Sequence, residues 1–315
     1  MFFLLRWTVY FFSFYVFIML SFFALHTYLP GAPPILGFLA RTMAAYLSLI
    51  ACAAYGTIAS AILRLFGLHF TYGQWTTAKA FKNLCTYTLG VRFEILDNGE
   101  QILNSTRPAV FIVNHQTELD VLLLGWIWPK NCSVTAKKSL RNIPFLGWFM
   151  TLSGTIFIDR VDRSAAMKAF EGAAKAMKEK RQSVVIFPEG TRSYSLEPML
   201  LPFKKGAFHL AVQGGVDIVP VVAENYSAVL SPKLKRFNAG TIRVKGRMRP
   251  RDDDLFNRVE GLTVETVLDP IPTKGLTPAD VDQLTRDTRE NMLDVLTAMA
   301  QDPGSRAFRN QKKES

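Results

Sequence analysis

The chain has 315 residues, of which 49% are apolar and 24 are phenylalanine. This apolar content is high for a soluble domain of that length, so contact with a membrane is expected. The three cysteines, Cys52, Cys85 and Cys132, form no CxxC pair, which argues against a zinc site and against the disulfide framework of a secreted protein. We therefore predict a reducing compartment and no metal site.

The net charge of +11 is unevenly distributed along the chain. Residues 79–249 contain 25 basic and 13 acidic side chains, a balance of +12, whereas residues 251–315 contain 9 basic and 13 acidic ones, a balance of −4. An ordinary basic surface is one explanation, and the others are anionic lipid headgroups, a polyanionic cosubstrate or nucleic acid. Nucleic acid is disfavoured because no zinc-finger spacing or aromatic RNA-binding signature accompanies the charge.

Residues 1–70 are predicted to form a transmembrane helical hairpin. Two uncharged segments, Trp7–Leu25 with 19 residues and Thr42–Leu63 with 22, are separated by the turn-forming sequence HTYLPGAPP. As a helix, each segment would have about the length needed to span the hydrocarbon core of a bilayer. A cleaved signal peptide is the alternative for the first segment, but no small-residue cleavage site follows it. A hairpin that lies in one leaflet without crossing is a second alternative.

Residues 71–300 are predicted to form one α/β domain, because short β-rich runs alternate with helical ones. Four apolar runs predict buried strands: Ala109–Val113, Thr155–Ile158, Ser183–Phe187 and Asp217–Val222. Ser164–Lys180 predicts a helix with Ser164 as its N-cap and an apolar face of Phe170, Ala173, Ala174 and Met177. This alternation indicates a mixed, partly parallel sheet flanked by helices, with functional loops at the strand ends.

His115 follows the first of these strands, and Asp120 comes five residues later. That spacing would separate the two side chains by about 140° on a regular helix. If His115 instead lies in a turn and Asp120 in the first turn of the next helix, the carboxylate can orient the imidazole as a base. A histidine with a merely structural hydrogen bond is the alternative. Because no GxSxG motif and no activated cysteine is present, such a base would act on a hydroxyl or on water.

A second polar loop follows the strand at residues 183–187, in the sequence VVIFPEGTRSY. Gly190 permits close approach of the backbone, Thr191 offers a hydroxyl and Arg192 offers a planar fork of donors. These groups are typical of an oxyanion or phosphate pocket. Taken alone, the segment would be interpreted as a surface turn.

Four segments then occur in a fixed order: NHQTELD at 114–120, GTIFIDR at 154–160, FPEGTRS at 187–193 and IVPVV at 218–222. Together they resemble the four motif blocks of the glycerolipid acyltransferases. The strings TAKKSL, PFLGWFM and LPFKKGAFHLA are similar in particular to those of the fungal-type 1-acyl-sn-glycerol-3-phosphate (lysophosphatidate) acyltransferases. The resemblance covers residues 81–222 in its motifs and implies the glycerolipid acyltransferase fold.

The resemblance implies transfer of a fatty acyl group from acyl-CoA to the sn-2 hydroxyl of lysophosphatidate, with no cofactor beyond acyl-CoA as cosubstrate. It makes His115 the general base and Asp120 its orienting partner. It implies substrate binding, mainly of the acceptor's glycerol phosphate, for Asn114, Lys137, Arg160, Glu189, Gly190, Thr191, Arg192 and Pro220, the last with a link to the acyl donor. The alternatives are another lysophospholipid or glycerol 3-phosphate as acceptor, hydrolysis of acyl thioesters, and a non-catalytic lipid-binding role.

Charges near the chain ends predict the topology. Arg6 precedes the hairpin and Arg64 follows it, whereas the loop between its helices has no Lys or Arg before Arg41, so the positive-inside bias puts both ends in the cytosol. The polar tail, residues 301–315, ends in QKKES, which resembles the dilysine retrieval signal of endoplasmic reticulum membrane proteins. A frayed charged tail is the alternative. We expect the endoplasmic reticulum membrane, with the lipid-droplet surface as an alternative. Residues 249–262 are interpreted as an insertion.

Overall fold

The computed structural model describes residues 2–96, 99–159, 161–245 and 270–301. Three features singled out in the sequence lie outside the described residues. They are Arg160, the insertion at 249–262 and the end of the tail with Lys312 and Lys313.

The chain begins with two long apolar helices, α1 (Phe2–Tyr28) and α2 (Pro34–Leu65). Pro34 begins α2, where the missing N–H and fixed φ of proline suit the first turn. Both helices are long and apolar enough to cross a membrane, and only 6% of the α1 span and 28% of the α2 span are buried in the protein. The predicted pair of apolar helices is therefore confirmed, while crossing and lying in one leaflet both stay predictions.

A third helix, α3 (His69–Leu89), runs antiparallel to α2. The hydroxyls of Ser48 and Thr88 are 3.3 Å apart, and those of Tyr55 and Thr76, at the other end of the contact, are 2.7 Å apart. These contacts attach α2 to the rest of the molecule. The domain boundary predicted at residue 70 falls in the first turn of α3.

Helix α3 was not predicted from the sequence. Amphipathic helices are recognised by a stripe of large apolar residues. The buried face of α3 consists instead mainly of small or polar residues: Gly73, Gln74, Thr77, Cys85 and Leu89. Close packing between helices, rather than burial of large side chains, holds this face in place.

A seven-stranded sheet forms the centre of the α/β domain, in the order β1-β9-β6-β2-β5-β3-β4. Its strands are β1 (Val91–Ile95), β2 (Ala109–Val113), β3 (Cys132–Lys137), β4 (Ile156–Ile158), β5 (Ser183–Ile186), β6 (Asp217–Ala223) and β9 (Gly240–Lys245). All neighbours are parallel except β6 and β9. The predicted mixed, partly parallel sheet is confirmed, and the four predicted strands match β2, β4, β5 and β6 to within one residue at each end. A separate pair, β7 (Leu230–Ser231) and β8 (Arg236–Phe237), is antiparallel.

Helices cover both faces of the sheet, which is why its central strands are continuously apolar. In β2, Val110 and Ile112 face one core and Phe111 and Val113 face the other. The helices after α3 are α4 (Gly99–Ser105), α5 (Asp120–Ile127), α6 (Leu146–Leu152), α7 (Arg163–Lys180), α8 (Gly206–Gly214) and α9 (Val281–Gln301). Residues of α3 and α5 fill the first core with β2, and residues of α7, α8 and α9 fill the second.

The N-cap predicted for α7 is wrong. The helix begins at Arg163, and Asp162 caps it, because the Asp162 side chain accepts a hydrogen bond of 3.0 Å from the backbone N–H of Ala165. Aspartate is as good an N-cap as serine and lies one turn before the donor. The predicted apolar face is confirmed: Ala173, Ala174 and Met177 are buried, and Phe170 packs partly buried against the same core.

Candidate active site

The predicted polar loops all leave the sheet at the same edge. Strand β5 lies between β2 and β3 and is parallel to both. The loop with His115 follows β2, Lys137 ends β3, and the loop at 187–194 follows β5. Because the carboxyl ends of parallel strands meet at one edge, this is where an α/β sheet places its ligands.

His115 and Asp120 form a hydrogen-bonded pair. The Nδ1 atom of His115 is 2.7 Å from Oδ2 of Asp120, and the same oxygen accepts the backbone N–H groups of Gln116 and Thr117 at 2.7 and 3.1 Å. Asp120 opens α5, where the helix dipole favours a carboxylate. The predicted geometry, with the carboxylate folded back onto the imidazole, is confirmed. The Asp120 side chain is 1% exposed and that of His115 is 16% exposed, so Nε2 of the histidine is the ring nitrogen left for a substrate.

A buried tyrosine completes the surroundings of Asp120. The hydroxyl of Tyr226 donates to the second carboxylate oxygen, Oδ1, and accepts the N–H of Thr117 at 3.2 Å. Burial and the neighbouring Asp120 raise the pKa of Tyr226 well above its ordinary value, so the hydroxyl stays a donor. Sequence reasoning missed this residue, because it lies in a loop beyond β6 and only the fold brings it to the site.

We predict that Tyr226→Phe lowers kcat by about tenfold or more, because a hydrogen bond to a charged group is worth roughly 1.5 to 3 kcal/mol. The KM values should change little, since Tyr226 acts through Asp120 and not on the substrates. Steady-state kinetics and thermal unfolding of the purified variant measure this. Tyr87→Phe is the control, because the Tyr87 side chain is exposed. Wild-type kcat in a folded Tyr226→Phe protein would contradict a positioning role.

The loop after β5 is attached directly to His115. Oε1 of Glu189 accepts the backbone N–H of His115 at 2.7 Å, and Oε2 accepts the N–H of Leu201 at 2.9 Å. Burial raises the pKa of Glu189, although these two N–H groups oppose that shift. The Phe187 ring stacks on the imidazole with centroids 4.3 Å apart, and Ser193 donates its N–H to the His115 carbonyl at 3.0 Å. Glu189 therefore joins the two loops, and its predicted substrate contact stays a prediction.

At the tip of this loop, Gly190 has a φ of +69°, and a Cβ there would come within 2.9 Å of Nζ of Lys204. Glycine thus fits both the left-handed backbone and the close approach of a lysine side chain. Thr191 beside it is exposed. Lys204 was not predicted as a site residue, although its position in LPFKKGAFHLA was a signal. It adds a positive charge at the tip of this loop, beside Gly190.

Arg192 is held by a carboxylate of the same site. Its Nη1 lies 2.8 Å from Oε1 of Glu118 and 3.1 Å from the hydroxyl of Tyr194, which donates to the same Oε1 at 2.6 Å. Burial lowers the pKa of Arg192, but Tyr194 and Glu118 outweigh that effect and raise it. The side chains of Arg192 and Glu118 are 37% and 47% exposed, so an anionic ligand can reach the guanidinium. Neither Glu118 nor Tyr194 was predicted.

Two other predicted residues are buried in the framework. Both amide atoms of Asn114 are bonded to the backbone of Ala223, at 3.0 and 2.9 Å, which ties the end of β2 to the end of β6. Pro220 is buried in β6 opposite Ile112. This geometry favours positioning roles, and the substrate-binding roles of both residues stay predictions. Lys137 is exposed at the end of β3, at the edge where the site lies, and its role also stays a prediction.

The cysteines are not placed for nucleophilic chemistry. Burial raises the pKa of Cys85 to about 12 and raises that of Cys132 as well, whereas reactive cysteines have lowered values. Among the described residues, no group of three His, Cys, Asp or Glu side chains is arranged to hold a metal ion.

Comparison with known proteins agrees with a site built on a histidine–aspartate pair at the edge of an α/β sheet. A family profile described as Acyltransferase matches residues 94–224, which include the histidine pair and the loop after β5. The fold is similar to the crystal structure of the 1-acyl-sn-glycerophosphate (LPA) acyltransferase PlsC from Thermotoga maritima. That similarity has a TM-score of 0.54 at 17% identity and covers 82% of this chain and 98% of that chain.

Sequence relatives are more specific. An uncharacterized acyltransferase of Schizosaccharomyces pombe is 44% identical over 81% of this chain and 83% of its own length. The 1-acyl-sn-glycerol-3-phosphate acyltransferase of Saccharomyces cerevisiae is 40% identical over 84% of this chain and 78% of its own. The human 1-acyl-sn-glycerol-3-phosphate acyltransferase beta is 39% identical over 63% of this chain and 62% of its own length. The chain belongs to the 1-acyl-sn-glycerol-3-phosphate acyltransferase family.

Proposed function

We propose that this protein transfers a fatty acyl group from acyl-CoA to the sn-2 hydroxyl of lysophosphatidate and so makes phosphatidate. The observation that carries the proposal is the 2.7 Å pair of His115 and Asp120, built in a family whose relatives are named for this acceptor. The relative from Saccharomyces cerevisiae, which matches along most of this chain, carries that name.

In the proposed reaction, Nε2 of His115 takes the proton of the acceptor hydroxyl while the oxygen attacks the thioester carbonyl. Asp120 stabilises the imidazolium that results. The tetrahedral intermediate then collapses, the C–S bond breaks, and the CoA thiolate leaves and receives the proton. A general base of this kind typically contributes about 10² to 10⁴ in rate.

Charge supports a phosphate monoester as the acceptor headgroup. Such a group carries close to two negative charges at neutral pH, whereas a lysophosphatidylcholine diester carries one and is covered by choline. Arg192 offers a planar fork for the phosphate oxygens, and Lys204 approaches the same loop. The phosphate would compete there with the Glu118 carboxylate, which lies 2.8 Å from Nη1 of Arg192.

Purified full-length protein with labelled oleoyl-CoA tests the proposal. The acceptors are lysophosphatidate, glycerol 3-phosphate and lysophosphatidylcholine, and mass spectrometry identifies the products. Phosphatidate from lysophosphatidate at the highest kcat/KM is the expected result. A higher kcat/KM with another acceptor would make that acceptor the substrate. Release of free fatty acid without an acceptor would indicate a thioesterase. No turnover with any acceptor would favour a lipid-binding protein.

We further propose that α1 and α2 hold the enzyme in the endoplasmic reticulum membrane with the catalytic domain and the C-terminus in the cytosol. Exposed aromatic side chains on α1, such as Trp7 and Phe11, suit a lipid environment. The lipid-droplet surface is the alternative location.

Protease added to intact microsomes is expected to remove a C-terminal epitope, because the proposed topology leaves the tail on the cytosolic face. Immunoblotting before and after detergent measures this, and a lumenal marker serves as the control for sealed vesicles. Protection of the epitope until detergent is added would reverse the topology.

A further inference from the structure

An open groove of about 310 Å³ runs along the edge strand β4, between that strand and α7. It lies away from the candidate active site, because β3 and β5 separate β4 from β2. None of the candidate active-site residues lines it. Its apolar wall consists of Phe70, Ile156, Phe157, Ala169, Ala173 and Ala176. Small residues on α7 keep the groove wide enough for a chain-like apolar ligand.

One polar side chain at this groove lacks a partner. Gln182, just before β5, lines the groove and is only 7% exposed. Its amide nitrogen Nε2 is buried and makes no hydrogen bond within the part of the chain that the structure describes. Buried donors without acceptors are rare in native proteins because they are costly. The position of this amide at the groove therefore suits an oxygen supplied by a bound molecule.

Positive charge collects near the same end of the groove. Lys180 lines it, with Nζ 4.8 Å from the centre of the Phe70 ring. Burial, Arg64 and Lys180 together lower the pKa of His69, the residue before Phe70, so Arg64 is also close. Within the described ranges, neither Arg64 nor Lys180 forms an ion pair with an acidic side chain. Two cations and an amide donor together suit an anionic oxygen.

The groove also opens beside the end of a membrane helix. Helix α2 ends at Leu65, which is 82% exposed, and Phe66 after it is 71% exposed. Large apolar side chains at such exposure are expected to contact lipid. Phe70 follows four residues later, so the charged end of the groove lies where α2 leaves the apolar phase.

We propose that the groove binds an anionic phospholipid of the surrounding bilayer, with one acyl chain along α7 and the phosphate at Lys180 and Gln182. This site is separate from the acyl-transfer site. Binding of the phospholipid in the groove anchors the β4 edge of the sheet to a negatively charged membrane. This binding does not depend on the proposed acyl-transfer reaction.

Native mass spectrometry of the full-length protein in a neutral detergent tests the proposal. Phosphatidylglycerol is titrated as the probe. Phosphatidylcholine is the first control, because it has the same acyl chains but no net charge. Free glycerol phosphate is the second control, because it has the charged phosphate but no acyl chain. The expected result is that phosphatidylglycerol binds about tenfold or more tightly than phosphatidylcholine, and that glycerol phosphate does not displace it.

Two variants assign that binding to the groove. Lys180→Gln removes the charge, and Gly172→Leu fills the groove, where a Cβ at Gly172 meets nothing within 4 Å and leucine favours the helix. Each should weaken phosphatidylglycerol about tenfold or more. Lys178→Gln is the matched control, since Lys178 is exposed on the same helix and does not line the groove. Phospholipid held at the acyl-transfer site would be unaffected by all three substitutions.

Wild-type affinity for phosphatidylglycerol in both Lys180→Gln and Gly172→Leu would overturn the proposal. Displacement by glycerol phosphate alone would also overturn it, because the site would then bind an anion and not a lipid. The readout is binding, so the outcome is independent of whether the acyl-transfer assay identifies lysophosphatidate as the acceptor.

Discussion

His115→Ala is expected to lower turnover by about 10² to 10⁴, the usual contribution of a general base. The imidazole is bonded through Nδ1 to Asp120 and stacked on Phe187, so its loss removes the base while leaving the sheet and the loop contacts of Glu189 in place. The measurement is kcat with saturating acyl-CoA and lysophosphatidate. His209→Ala, in α8, is the matched control.

Asp120→Asn tests the second member of the pair by removing its charge and keeping its shape. Oδ2 accepts three hydrogen bonds, so an asparagine would keep its oxygen there and turn its amide nitrogen towards Tyr226, whose hydroxyl can also accept. The fold should survive, and turnover should fall heavily because the imidazolium loses its counterion. Near wild-type turnover in folded His115→Ala or Asp120→Asn protein would remove the pair from the mechanism.

The strands and the His115–Asp120 geometry were predictable because they depend on local patterns. Strands β2, β5 and β6 are buried on both faces, so their apolar runs are continuous and easily recognised. The pair spans a single strand-to-helix turn, and the position of Asp120 at the start of α5 follows from where that helix begins. Short-range spacing therefore defined the condition under which the two side chains meet, and the turn after β2 fulfils it.

The residues that surround the pair were not predictable in the same way. Tyr226 reaches Asp120 from 106 positions along the chain, and Lys204 reaches Gly190 only through the close packing of two loops. Glu118 lies within the NHQTELD segment, yet its partner Arg192 is 74 positions away. Contacts of this length depend on the strand order of the sheet, which periodicity does not specify. The mistaken N-cap of α7 has a local cause instead, because aspartate and serine compete for one role within three residues.

The opposed charges of Arg192 and Glu118 give the most specific prediction about substrate recognition. Arg192→Lys keeps the positive charge but loses the planar fork that can bind two phosphate oxygens. The expected cost in acceptor recognition is roughly 1.5 to 3 kcal/mol, or about 10-fold to over 100-fold in kcat/KM for lysophosphatidate. The KM for acyl-CoA should change much less. Arg286→Lys, on the exposed face of α9, is the control for the effect of an arginine-to-lysine change outside the site.

Glu118→Gln should improve lysophosphatidate binding, whereas Arg192→Lys should weaken it. The Glu118→Gln substitution removes the carboxylate that lies 2.8 Å from Nη1 of Arg192, so the phosphate no longer competes with it for the guanidinium. Exposed ion pairs are worth about 0 to 1 kcal/mol, which limits the expected fall in the lysophosphatidate KM to roughly fivefold. The two variants thus separate charge competition from fork geometry at one guanidinium. If Arg192→Lys raised the acyl-CoA KM and Glu118→Gln left lysophosphatidate kinetics unchanged, the loop after β5 would bind the donor, and the acceptor phosphate would have to be held elsewhere.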